Sequence, residues 1–293
     1  MAMPEPKDED PRNPGERSFR SAAAHYLGGR PAYADLLIQR VAALVGLRRH
    51  HAVLDLGCGP GPLARAFALL AREVVAMDPE PEMLRVAAEA CTGIGNIRFV
   101  AGGSDDLAPS LGRFRLVVMG RSFHWMDRAE TLHRLDALVE PGGAVALFHT
   151  GHAAVPANAW AEQFRDVRRR YSGDDGEPRG PNAAAGARRR RGRDAGSGGD
   201  APWVHHEAFL LASAFRCVEA HSVFTPGELD ARRLVDRAFS MSGTAPARLG
   251  DRAADLERDI VALIHDIAPD GRLTEVIESS ALVARRPGEE RAS

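Results

Sequence analysis

Val53-Leu-Asp-Leu-Gly-Cys-Gly-Pro-Gly61 reads as a buried strand that runs into a glycine turn and then into a helix. Such a turn lets the backbone come close to a ligand while the helix N-terminus supplies N–H groups. It is a nucleotide-type loop but not the dinucleotide fingerprint, because G-x-G-x-x-G needs glycine at 62 and that position is Pro62. Asp55 argues the same way: a carboxylate at the mouth of the loop repels a pyrophosphate and suits an ammonium or sulfonium charge. A second strand ends in Asp78, 21 residues after Gly57, the spacing at which a carboxylate reaches both hydroxyls of a ribose. The implied ligand is an unphosphorylated nucleoside with a cationic tail.

Outward from this stretch, short β-rich runs at 52–56, 73–77, 97–100, 116–119 and 144–148 alternate with segments of helical spacing at 62–71, 81–90 and 128–139. The 101–114 connection is loop-like. This alternation predicts an α/β fold, a doubly wound, Rossmann-like and mostly parallel sheet covered on both faces. Upstream, apolar residues from Leu36 to Val45 follow helical spacing, with Pro31 at the first turn and Gly46 at the end. Downstream, 215–224 alternates like a strand, 228–240 and 247–267 read as helices, and 273–284 as a last strand. Residues 1–17 hold almost no apolar side chain and are expected to form a disordered tail. The segment 172–202 contains no large apolar residue but eight Gly and the run Arg188–Arg191, so it is expected to be a mobile insertion.

With 293 residues, 44% of them hydrophobic, the chain can bury a sizeable core, and a net charge of −2 leaves no global field for nucleic acid. Nucleic acid is therefore disfavoured as a partner, and the arginine run reads first as a solvated loop. Of the 38 basic residues, Lys7 is the single lysine, which excludes a P-loop, Schiff-base or pyridoxal-phosphate lysine in the folded part. Cys58, Cys91 and Cys217 have neither an even count nor a metal-like spacing, so no disulfide framework and no metal site is expected. The acidic N-terminus and the lack of a long apolar run point to a cytoplasmic protein with no membrane partner.

The set VLDLGCGPG (53–61), VVAMD (74–78) followed by PEPEML, RSFHWMDR (121–128) and VEPGGAVALF (139–148) resembles the class I S-adenosylmethionine-dependent methyltransferases. The resemblance is strong over 19–150 and weak over 205–286, and is nearest the small-molecule branch with a His-Trp pair after the fourth strand. It implies one methyltransferase domain over 18–293, with an N-terminal lid helix (19–46), a cofactor-binding core (50–150) and a C-terminal strand-helix-strand part (205–286). It also implies S-adenosyl-L-methionine as cofactor. Gly57, Gly59 and Gly61 would hug the cofactor backbone, with Asp55 near its amino-acid end, Asp78 on the ribose, Met83 over the adenine, and Ser104 and Asp105 at the adenine edge. Tyr26 and Arg30 resemble the lid that holds the cofactor carboxylate, a task the planar guanidinium fork suits. Arg121 joins this set, facing the same cavity, where it could meet an anionic group. Two departures, Arg115 at the opening of the fourth strand and Ala108 in place of a proline, bear on the adenine side.

His124 and Trp125 follow the fourth strand, at the sheet edge where open α/β folds bind ligands. They define the substrate pocket, with His124 either the catalytic base or a packing ring against the methionine end. Both adjacent histidine pairs, 50–51 and 205–206, lack a third ligand and read as surface residues. The expected reaction is methyl transfer to N or O of a small-molecule substrate, in the pattern of antibiotic tailoring enzymes including those acting on aminoglycoside sugars. Quinone- or aconitate-type methyltransferases share the cofactor residues and form the alternative, and an RNA or protein methyltransferase gripping through the Arg-rich insertion is a second one. A homodimer is an open possibility for the assembly.

Overall fold

The computed structural model describes residues 25–26, 28–172 and 204–288. The expected tail and, apart from Ser172, the expected insertion lie outside the described residues. After helix α1 (Asp35–Leu44), strands β1 (Ala52–Leu56), β2 (Glu73–Asp78), β3 (Ile97–Ala101), β4 (Phe114–Gly120) and β5 (Val139–His152) form the parallel part of one sheet. Helices α2 (Pro62–Ala68), α3 (Pro81–Ala90) and α4 (Arg128–Leu138) provide crossovers. Then follow α5 (Trp160–Ser172), α6 (His206–Leu211), β6 (Cys217–Asp230), α7 (Ala231–Phe239), α8 (Ala253–Ile267) and β7 (Arg272–Arg285). The seven strands lie in the order β3-β2-β1-β4-β5-β7-β6, and β7 is antiparallel to both its neighbours.

All five residues of β1 are buried, which is what a strand covered on both faces requires. Val53 points to the layer of α1 and α2 with Leu63 and Phe67, while Leu54 and Leu56 point to the layer of α4 and α6 with Leu132, Leu135 and Leu210. Each such fully buried aliphatic side chain contributes roughly 1.5–3 kcal/mol. A third cluster joins α5, α7 and α8 through Trp160, Phe164, Leu234, Leu256 and Ile260, with Leu229 and Leu273 from β6 and β7. The chain runs outward from β1 to β3 and returns to β4 beside β1. That reversal opens a crevice at the carboxyl ends of β1 and β4, where such sheets bind ligands.

Several boundaries differ from expectation for identifiable reasons. The lid is not one helix over 19–46: Ala34 is extended (φ −62°, ψ 127°) and its N–H donates to Ser279 Oγ of β7 at 3.1 Å, so α1 starts only at Asp35. β5 runs well past Phe148 because β7 pairs with it as far as His152. β6 likewise continues to Asp230, paired with Arg272, and α7 starts where the Asp230 carboxylate accepts the Arg233 N–H at 2.9 Å. The helix expected over 247–267 is interrupted at Gly250, whose φ is +57°.

Candidate active site

The glycine turn places three glycines in left-handed conformations, φ +69° at Gly57, +54° at Gly59 and +81° at Gly61. Their surroundings give each a different reason. A Cβ at Gly57 would lie 2.5 Å from Ser122 Cβ, and one at Gly61 would lie 3.3 Å from Ala87 Cβ of α3. At Gly59 no described atom lies within 4 Å of that position. The first glycine thus permits contact with the loop after β4 and the third permits helix packing, whereas the second leaves backbone open to a ligand.

Two buried carboxylates flank the turn. Asp78 Oδ2 accepts the Gly59 N–H at 2.8 Å and Oδ1 accepts the Glu80 N–H at 2.9 Å. Burial raises the Asp78 pKa against the pull of these two bonds. A carboxylate offers about four acceptor positions, so capacity remains for a ribose hydroxyl pair. Asp55 Oδ2 accepts the Ala64 N–H at 2.8 Å, in the first turn of α2. Burial pushes its pKa up to about 7; the Ala64 bond opposes the shift and the nearby Asp78 charge adds to it.

Met83 is buried in the first turn of α3, and Ser104 and Asp105 form a short turn directly after β3, so all three sit at the carboxyl edge beside Asp78. Arg134 Nη1 donates to the Asp105 carbonyl at 2.6 Å. Arg115 does not approach this edge: at the opposite end of β4 it donates to the Val45 and Pro141 carbonyls at 2.7 and 3.1 Å.

Across the crevice, the loop after β4 and the N-terminal strap converge. Arg121 has φ +57°, the one positive value among described non-glycine residues, and backbone strain of this kind gathers at functional sites. Its Nη1 donates to Thr150 Oγ1 at 3.0 Å, and its guanidinium lies 5.4 Å from the ring centre of Tyr26 and 5.3 Å from that of Tyr33. Burial works against its charge, but the two phenols more than offset it and the pKa moves up. Burial pushes the Tyr33 phenol to about 12. Arg30 stacks over Tyr26 at 5.5 Å and donates through Nη2 to the Ser240 carbonyl at 3.1 Å. Burial, with Arg121 and Arg168 close by, brings it down to about 10, so it stays charged at neutral pH. The buried Nε atoms of both Arg30 and Arg121 find no hydrogen-bond partner among the described residues.

His124 and Trp125 occupy the turn that follows β4, their rings 5.1 Å apart. Burial lowers the His124 pKa to about 4, with His206, His149 and Arg128 adding to the shift. His206 is also brought down to about 4, by burial and then by Arg128, and His149 is lowered by burial and by Arg121. His206 therefore departs from the surface reading of its pair: His205 is exposed, but the His206 ring packs 5.3 Å from Phe123. Arg128 holds α6 there, donating to the Val204 carbonyl at 2.8 Å and stacking 3.9 Å over Phe209. Tyr33, His149, Thr150 and His206 were not among the expected site residues, and no local motif marks them. Among the described residues no cluster of three or more His, Cys, Asp or Glu is placed to hold a metal, and no helix is long and apolar enough to cross a membrane.

This arrangement fits S-adenosylmethionine: an open glycine backbone, two buried carboxylates for ribose and cationic tail, and buried guanidinium N–H groups for a carboxylate. Residues 53–143 match the methyltransferase domain family. The fold and this match define an S-adenosylmethionine-dependent methyltransferase with a class I, Rossmann-like fold. Over 248 residues the chain is 27% identical to an uncharacterized methyltransferase of Mycobacterium tuberculosis (strain ATCC 25618 / H37Rv), covering 84% of this chain and 86% of that one. It is also 35% identical over 136 residues to a malonyl-[acyl-carrier protein] O-methyltransferase of Pseudescherichia vulneris, covering 46% of this chain and 51% of the relative. A trans-aconitate 2-methyltransferase of M. tuberculosis (strain ATCC 25177 / H37Ra) is 35% identical over 134 residues, with 43% and 49% covered. In fold the chain resembles a structure from Anaeromyxobacter dehalogenans described as a type II methyltransferase, at a TM-score of 0.55 and 15% identity over 88% of this chain and 97% of that one.

Proposed function

We propose that this enzyme methylates an oxygen of a small carboxylic acid, giving a methyl ester. The observation that carries the reading is the pair of half-buried arginines, Arg30 and Arg121, whose buried Nε atoms each lack a partner among the described residues. S-adenosylmethionine has one carboxylate, which one of the two would hold; the other is left for an anion on the acceptor. When bound, the cofactor supplies an electrophilic methyl on a sulfonium. Asp55, Asp78, Met83, Ser104, Asp105 and the glycine turn would hold it. His124 and Trp125 would line the acceptor pocket, with His124 acting by shape.

Protonation supports the same acceptor. A histidine held at about 4 is a weak base at neutral pH, whereas a carboxylate arrives ionised and needs none, so alignment of oxygen and methyl supplies the rate. Two partial relatives are named for acidic acceptors, trans-aconitate and a malonyl group. A polycationic aminoglycoside fits poorly beside two half-buried arginines, although an acidic natural-product intermediate fits as well as a primary metabolite. The three free thiols suit a reducing, cytoplasmic setting.

The test is transfer of labelled methyl to panels of carboxylic acids, amino sugars, RNA and protein. Label in the acids that mild alkali releases as methanol is the expected result. Alkali-stable label in amino sugars, or label confined to RNA or protein, would replace this reading with N-methylation or with the polymer alternatives.

A further inference from the structure

The N-terminal strap that carries Tyr26 and Arg30 is fastened by residues some two hundred positions away. The Gly29 carbonyl accepts from Arg237 Nε at 2.8 Å. A Cβ on Gly29 would lie 2.3 Å from both the Arg237 nitrogen and the Asp236 carbonyl carbon, so the strap rests directly on the backbone of α7. His25 Nδ1 sits 2.7 Å from Asp236 Oδ1, and the Ser240 carbonyl takes Arg30 Nη2. Beneath the strap, Arg237 is buried and forks onto Glu275 of β7, at 2.7 Å through Nη1 and 3.2 Å through Nη2, while Nη1 also lies 2.9 Å from His152 Nε2 at the end of β5.

We infer that Arg237 is a positioning residue: clamped on Glu275 and His152, it fixes the Gly29 peptide and thereby sets Arg30 and Tyr26 for the carboxylate of the methyl donor. A guanidinium suits the task because its planar fork serves the Gly29 carbonyl and both Glu275 oxygens from one rigid group, which an ammonium cannot do. A buried ion pair contributes little net stability, and apolar residues of similar volume commonly replace one without loss. What the pair adds is a fixed position for the peptide above it. This inference rests on the donor's carboxylate lying at Arg30 and is independent of what the acceptor is.

The test uses the full chain with Arg237→Met and Glu275→Leu combined, which removes the clamp without stranding a buried charge. The double variant is expected to melt close to wild type. Its dissociation constant for S-adenosylmethionine, read by calorimetry, should rise roughly tenfold, equivalent to ~1.4 kcal/mol. Amide exchange over 28–34 should quicken in parallel, and the donor KM should rise while kcat at saturating donor is largely kept. Gly29→Ala is the second variant, since it lifts the strap while the ion pair stays intact; it should reproduce the affinity loss even if the double variant folds poorly. Arg237→Lys alone, which retains charge but not the fork, should fail to restore wild-type affinity. Unchanged donor affinity in a folded double variant or in Gly29→Ala would overturn the inference.

Discussion

The two halves of the crevice are built over different distances along the chain. On the glycine-turn side, partners are near in sequence: Asp55 caps Ala64 nine residues on, and Gly59 meets Asp78 nineteen residues on. On the strap side, Arg237 reaches Gly29 across 208 residues, Arg30 reaches Ser240 across 210 and Ala34 reaches Ser279 across 245. On the proposed reading, the donor's nucleoside end would be held by one local motif, while its carboxylate and the acceptor would be met where residues 29–34 pack against 237–279. Local encoding survives changes elsewhere in the sequence; closure depends on the whole sheet, and it is there that acceptor choice can vary.

The sharpest break of that comparison lies within the turn itself. Gly57→Ala combines left-handed strain of roughly 1–2 kcal/mol with overpacking of about 1–3 kcal/mol against Ser122, so a large drop in thermal stability is expected along with loss of donor binding. Gly59→Ala bears only the strain, because nothing described stands near its Cβ. It should remain folded while its donor affinity falls by about a hundredfold, equivalent to ~2.7 kcal/mol. Melting curves and calorimetry on both variants separate the effects; normal donor binding by Gly59→Ala would move the donor away from this turn.

Next in size is the exchange of the two arginines. Removing a charge-assisted hydrogen bond costs about 1.5–3 kcal/mol, so Arg121→Met should raise the acceptor KM by roughly one to two orders of magnitude with little change in donor affinity. Arg30→Met should do the reverse. If both variants weaken the donor alike and leave the acceptor untouched, both guanidiniums serve the cofactor and the acid reading loses its support.

Legibility in the sequence follows the same division. Asp55, the three glycines and Asp78 could be singled out because strand, turn and helix fix them within one βαβ unit, the turn at His124 because it directly follows β4, and the mostly parallel sheet because strands and helices alternate along the chain. The expected lid helix is interrupted: Gly28 and Gly29 are helical, 30–34 are not, and α1 starts only after Ala34, which bonds to Ser279, a partner that no local pattern reveals. His206 looked like half of a surface pair, since only the tertiary clip of Arg128 on Val204 and Phe209 turns it inward. Arg237 and Glu275 sit in an amphipathic helix and an alternating strand, where a charged residue normally faces water; their burial is set by the strap they hold.

Asp55 gives a smaller effect with a definite sign. Its folded pKa, about 7 against an ordinary 3.8, means that the donor-free protein is partly protonated there at neutral pH. A cationic donor favours the ionised form, so binding releases a proton and affinity should climb as pH rises toward 7, then level off. Asp55→Asn keeps an oxygen for the Ala64 N–H and should flatten that profile. The stability linkage runs the other way: the raised acid favours the folded state at low pH, and this contribution is lost between about 3.8 and 7. Asp55→Asn should therefore melt higher than wild type at pH 8.

His124→Ala carries the smallest expected effect, and its size separates shape from chemistry in the acceptor half. With a folded pKa of about 4 against 6.5, His124 is neutral throughout the range where the enzyme would work, so no titration of His124 should appear in kcat between roughly pH 6 and 8. Loss of the ring removes packing beside Trp125, and kcat should fall only a few fold, less than the two to four orders of magnitude a general base supplies. In stability the sign is opposite to that of Asp55. The unfolded chain binds the proton more readily, so wild type loses stability as pH drops from 6.5 toward 4, and the alanine variant should lose less over that window. A fall in kcat beyond a hundredfold, with a bell-shaped profile in the wild type, would make His124 the base after all, and the acceptor would then be a group that arrives protonated, an alcohol or an ammonium, in place of a carboxylate.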